Sequence, residues 1–170
     1  MINNIKKLRV FIDGTMGAIA NLKMDGENFH SEASKPGHMM NARTSAELGK
    51  MWLGMSLKEL EVENPYPDSM NASNEKIAPT ADTSKLDLDE DFFKKGDTYI
   101  QRVKRLREIV QRHVDDSEYI RKEHLGPAGN MKMQLIFNNV YTNLVEAKLW
   151  LGMELGRIRD LQMNSEDGVA

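Results

Sequence analysis

Hydrophobic residues between Asn139 and Leu155 recur at steps of three and four. Leu144, Ala147, Leu151, Leu155 and, just beyond, Ile158 therefore line one face of a long helix. The segment reads N-V-Y-T-N-L-V-E-A-K-L-W-L-G-M-E-L, and the chain holds a second copy at Asn41 to Leu57, N-A-R-T-S-A-E-L-G-K-M-W-L-G-M-S-L. Placing Trp52 on Trp150 sets an offset of 98 residues, at which Asn, Thr, Lys, the whole W-L-G-M and the last Leu coincide. The same offset, without a gap, places Ile2 on Ile100, Lys6 on Lys104, Leu8 on Leu106 and Arg9 on Arg107. Two separated blocks sharing one offset indicate an internal duplication. Residues 1–60 and 99–158 read as two copies of one unit: a helix, a bend, and a second helix carrying W-L-G-M.

The remaining pattern divides the chain into a first helical hairpin at 1–62, an extended proline-rich acidic linker at 63–96, a second hairpin at 97–163 and a polar tail at 164–170. The fold class expected is all-α, two tandem antiparallel hairpins. One stretch is ambiguous. R-V-F-I-D-G-T, residues 9–15, reads alone as a strand running into an Asp-Gly turn, whereas its repeat partner within Gln101 to Ile120 is helical, so helix is preferred with a small β element as the alternative. Asp97 or Thr98 can cap the helix that follows, whose buried stripe is Ile100, Val103, Leu106, Val110 and Val114. Gly126-Pro127-Ala128-Gly129 marks a bend before a helix over Met131 to Leu161, and the tail from Asn164 is expected to fray. Between the hairpins, N-P-Y-P-D-S and I-A-P-T-A-D-T-S hold three of the five prolines and no helical period. Tyr66 could dock there, Phe92 and Phe93 are expected to anchor the linker, and Asn64 to Leu88 is expected to be the most protease-sensitive interior stretch.

Composition narrows the chemistry. The chain of 170 residues is 40% hydrophobic and 29% charged, as suits a globular protein, and its net charge of −3 does not point to DNA or RNA. It has no cysteine, which removes disulfides, thiolate zinc sites and cysteine nucleophiles. No apolar run approaches a membrane span, and M-I-N-N-I-K-K-L-R lacks the apolar core of a signal peptide. His30, His38, His113 and His124 show no metal-ligand spacing, and no P-loop, G-x-S-x-G or G-x-G-x-x-G occurs. No catalytic residue, metal or cofactor is assigned.

Two groups of residues call for a role. Trp52 with Met55, and Trp150 with Met153, form a second apolar edge on each W-L-G-M helix, and a helix with two apolar faces contacts more than one neighbour. These four are the expected assembly residues. The second group is polar: Arg102, Lys104, Arg105 and Arg107 on one helix, and Asn139, Tyr141, Thr142 and Lys148 on the next. As solvated surface and helix-start residues they need no further explanation. As a basic rim with an aromatic face they suit a ligand bearing phosphates and bases.

The pattern T-x-L-x-x-A-K-x-W-L-G-M-x-L, here Thr142 to Leu155, resembles the hairpin domain of phage anti-defence nucleotide sponges that act against CBASS and Thoeris immunity. N-P-Y-P-D-S followed by I-A-P-T-A-D-T, Asn64 to Thr83, is also similar to a segment of such proteins. The resemblance implies a non-enzymatic protein in the cytoplasm of the infected host cell. Its partner would be a cyclic nucleotide second messenger, either a cyclic oligonucleotide or a cyclic ADP-ribose isomer, sequestered without cleavage. It also implies an oligomer of six hairpins with pockets between protomers, so three chains of two hairpins, a trimer imitating a hexamer, or else a dimer, is expected. It carries no ligand-binding residue onto this chain. A structural or interaction protein with no small-molecule ligand is the alternative of a different class.

Overall fold

The computed structural model describes residues 1–27, 37–64, 98–126 and 130–167, the last turns of the first and last helices as backbone only. All described secondary structure is helical: α1 (Ile2–Glu27), α2 (Gly37–Glu59), α3 (Tyr99–Leu125) and α4 (Met131–Asp167). The expectations for Tyr66, for Phe92 and Phe93 and for most of the proline-rich stretch fall on 65–97 and lie outside the described residues.

The ambiguity at 9–15 resolves as helix. Ile5, Leu8, Ile12, Ile19 and Leu22 are all buried, and Thr15 completes the same face with its hydroxyl bonded to the Phe11 carbonyl at 3.0 Å. A 3.6-residue period sustained over this length overrides the brief β-branched run. At α3 the cap is Thr98: its side chain accepts from the Gln101 backbone N–H while the Gln101 side chain accepts from the Thr98 N–H. The bend after α3 starts at Gly126, whose positive φ of 57° favours glycine, and the Gln134 side chain donates to its carbonyl at 2.7 Å. Asn130 Oδ1 then accepts from Lys132 N at 2.9 Å and starts α4. Helix α4 outruns the expected end near Leu161 and reaches Asp167; its polar end contains Gln, Met and Glu, all good helix formers.

The four helices form one bundle in the order α1, α2, α4, α3 around a shared core, with α2 against α4 the most extensive pairing. Core positions repeat at the offset of 98: Ile5 and Val103, Leu8 and Leu106, Ala42 and Val140, Ala46 and Leu144, and Leu53 and Leu151 are buried in both copies. The hairpins therefore cover each other's apolar faces, which units of about 60 residues need. Gly49 makes the α2–α4 approach close: a Cβ there would stand 3.3 Å from the Leu144 side chain. No described helix is long and apolar enough to cross a membrane.

Candidate functional site

The duplication extends to individual contacts. Lys50 on α2 pairs with Asp13 on α1, and Lys148 on α4 bonds Gln111 on α3. The Arg9 side chain lies over Gly54, and that of Arg107 over Gly152. Thr15 and His113, themselves 98 residues apart, touch each other at 2.8 Å. Equivalent residues in mutual contact mark the pseudo-twofold axis between the hairpins. The Thr15 hydroxyl proton is committed to Phe11, so His113 Nε2–H donates to Thr15 and Nδ1 is left as a bare, buried lone pair with no hydrogen-bond partner among the described residues. Phe11 stacks on the ring at 6.5 Å. Burial, and then the charge of Arg112, lower the His113 pKa to about 3.

Beside α3 and α4 lies a groove of about 660 Å³. Its floor is apolar: Ile100 from α3, with Leu149, Gly152, Met153, Leu155 and Gly156 from α4. Its rim is cationic: Lys104 and Arg107 on α3, Arg159 on α4. Ile100, Lys104 and Arg107 are one helix stripe at steps of four and three, so α3 presents them together. Among the described residues no hydrogen bond or ion pair engages Lys104 or Arg107, and Arg159 has only Asp160 at 3.8 Å, both well exposed. On a chain of net charge −3, this groove is locally positive.

A polar cluster outside the lining of the groove joins the same two helices to α2. Glu154, 2% exposed, accepts from Tyr99 Oη at 3.0 Å and from Arg157 at 2.6 and 2.9 Å, and it lies 3.3 Å from His38 Nδ1. His38 stacks on Trp150 at 5.7 Å. The cluster thus ties the starts of α2 and α3 to α4. Burial alone would raise the Glu154 carboxyl, but the hydrogen bonds and charge of Arg157, joined by Tyr99 and His38, outweigh it and hold the group below the usual carboxylate range. Burial, then the Glu154 charge, push the Tyr99 phenol well above its ordinary range.

Of the eight polar candidates, the structure brings Lys104 and Arg107 to the groove and leaves six outside its lining. Arg102 and Arg105 are half-buried on other faces of α3. Asn139 donates to the Leu135 carbonyl of its own helix. Tyr141 and Thr142 are exposed, and Thr142 stands roughly 15 Å along α4 from Gly152. Lys148 is engaged by Gln111. Of the four assembly candidates, Trp52 and Trp150 are half-buried against the chain's own core, while Met55 and Met153 are exposed. Ile100, expected in the buried stripe, instead lines the groove, with Gly156 and Arg159, which lie beyond the repeated motif. Among the described residues no cluster of three metal-ligating side chains occurs. Comparison with protein-family models, with curated proteins and with solved structures finds no match for this chain.

Proposed function

We propose that this protein binds and sequesters an anionic nucleotide signal, a cyclic oligonucleotide or a cyclic ADP-ribose isomer, without cleaving it, and that the α3–α4 groove is the binding site. The observation that carries this reading is the groove itself: an apolar floor suited to a base, edged by three cations, two of them without an acidic partner among the described residues. A phosphate at Lys104 or Arg107 gains charge-assisted hydrogen bonds without first breaking an ion pair, each worth about 1.5–3 kcal/mol. Lysine and arginine hold phosphate, and the described lining offers no carboxylate, imidazole or hydroxyl side chain beside them, which favours retention over hydrolysis. The resemblance of the W-L-G-M helices to anti-defence sponges supports the same reading and implies the cytoplasm of a phage-infected cell.

A second reading, a protein whose role is assembly, draws on exposed apolar side chains that in part also line the groove. Met51 and Met55 on α2, and their equivalents Leu149 and Met153 on α4, are all exposed. Self-association is compatible with both readings.

The test is a thermal-shift panel of cyclic di- and trinucleotides and cyclic ADP-ribose isomers, followed by heat release and mass spectrometry of the supernatant. Sequestration predicts that at least one member raises Tm and is recovered intact. A panel with no shift supports the assembly reading, and recovery of a cleaved product refutes the absence of chemistry.

A further inference from the structure

The two hairpins repeat one another, but the residues that line the groove on the second hairpin differ from their counterparts on the first. The equivalents of Ile100, Lys104 and Arg107 are Ile2, Lys6 and Arg9, so the helix stripe itself is duplicated. What differs is the state of the arginine and the end of the second helix. Arg107 is exposed at the rim of its groove. Arg9 is only 8% exposed: it lies over Gly54 and donates from Nη1 to the Lys50 carbonyl at 3.2 Å. Its charge is directed inward at the chain's own backbone.

The floor differs as well. Helix α2 stops at Glu59, and Val62 N turns back onto the Leu57 carbonyl at 3.0 Å, leaving Leu57 1% exposed. Helix α4 runs past the equivalent point, and Leu155 stays partly open. Gly156 has Lys58 as its counterpart, a long side chain in place of none. Arg159 has Glu61, which has left α2, adopts a φ of 55° and carries the opposite charge.

Glycine inside a helix is destabilising relative to alanine. At Gly49 and Gly54 a neighbouring side chain crowds the space a Cβ would need, and at Gly152 the Arg107 side chain would meet it in ordinary contact, whereas at Gly156, as at Gly17 on α1, no atom of the described residues lies within 4 Å. Internal packing therefore does not explain this glycine, but its position on the groove floor does: a flat ring can rest on bare helix backbone only where no side chain stands.

We infer that each chain holds one nucleotide-binding site, in the second hairpin alone, with the base on the strip at Gly156 and the phosphates between Lys104, Arg107 and Arg159, and that the first hairpin's counterpart is closed by Arg9, Lys58 and Glu61. This rests on the binding reading above and adds its location, its orientation and its stoichiometry.

The experiment is calorimetric titration of the full chain with two probes, cyclic di-AMP and cyclic ADP-ribose. Wild type is compared with Gly156→Leu and Arg159→Glu, and with the matched changes Lys58→Leu and Glu61→Arg. All four positions are partly or fully exposed, so the fold tolerates the changes, and the melting temperature of each free variant verifies it. The inference expects one site per chain for whichever probe binds, at least tenfold weaker binding in both second-hairpin variants, and binding within twofold of wild type in both first-hairpin variants. Two equal sites per chain, losses in the first-hairpin variants, or indifference to all four would overturn it while leaving nucleotide binding standing. If neither probe binds, the binding reading fails and this inference fails with it.

Discussion

Lowering the pH from 7 to 5 should weaken this fold measurably, and most of the effect that can be assigned to one residue belongs to His113. The ring is 1% exposed, on the axis between the hairpins, with its pKa lowered to about 3 from 6.5. In the unfolded chain the same ring titrates near 6.5. Above that pH neither state binds the proton. Between about 6.5 and about 3 the unfolded state binds it and the folded state does not, so stability falls as the pH falls through that window. The limiting slope is about 1.4 kcal/mol per pH unit for one proton, and between pH 7 and pH 5 the loss from this group is about 2 kcal/mol. At this chain length that is a drop in Tm of roughly 4–8 °C. His124, whose pKa burial also lowers, contributes with the same sign, so the measurement must be differential. His113→Gln keeps an amide donor near the position of Nε2 and removes the titration. Urea denaturation of both proteins at pH 7, 6 and 5 should show the wild type losing about 2 kcal/mol more than the variant. Parallel losses would mean that His113 is protonated in the folded state, and the buried, neutral axis described above would be wrong.

Other predictions follow from single contacts. Gly49→Val should cost about 1–3 kcal/mol by overpacking against Leu144, whereas Gly156→Ala, in open space, should stabilise by up to about 1 kcal/mol; denaturant midpoints read both. Removing one partner of the buried cluster should be severe. Glu154→Ala should cost about 3 kcal/mol and change the emission of Trp150 by freeing His38, while Tyr99→Phe should cost about 1 kcal/mol. Because the Glu154 carboxyl is held low, its contribution is present above the unfolded carboxylate pKa near 4.5 and is lost as the pH falls below that value. The exposed pairs Met51 and Met55, and Leu149 and Met153, predict a homo-oligomer, with a trimer ahead of a dimer. Light scattering at micromolar concentration should return a multiple of 19.4 kDa, and a monomer mass would count against assembly.

The sequence made the helices legible because each keeps one apolar stripe over many turns, and the shared offset of 98 made their equivalence legible before any contact was known. The same periodicity misplaced Ile100. It continues the hydrophobic steps of α3 but sits at the helix start, where the stripe has turned from the core toward the groove. The tryptophans mark a second apolar edge in the sequence, and both are half-buried within the chain, where His38, more than 100 residues from Trp150, supplies part of the cover of Trp150. No local pattern announces the Glu154 cluster, since E-L-G-R reads as a solvated helix end. The repeat does hold a signal for it. Glu154 and His38 align with Ser56 and Ile136, both buried, so a carboxylate and an imidazole occupy positions that the other copy buries. Of the polar candidates, Lys104 and Arg107 share the stripe of Ile100, whereas Arg102 and Arg105, equally basic in sequence, face elsewhere because a helix separates neighbours by 100°. Gly156 and Arg159 lie just past the repeated motif, and their counterparts Lys58 and Glu61 differ from them in kind, so identity between the copies does not single them out.

The most direct test of nucleotide capture in the α3–α4 groove is a binding titration of wild type and of the Lys104→Ala/Arg107→Ala double variant with the panel member that gives the largest thermal shift. Both side chains stand at the rim, and among the described residues neither makes a hydrogen bond or ion pair, so their removal should leave the Tm of the free protein within about 2 °C. Loss of two charge-assisted phosphate contacts should weaken binding at least tenfold, at about 1.4 kcal/mol per factor of ten. Affinity equal to wild type in a variant that folds normally would contradict the assignment of the groove as the binding site.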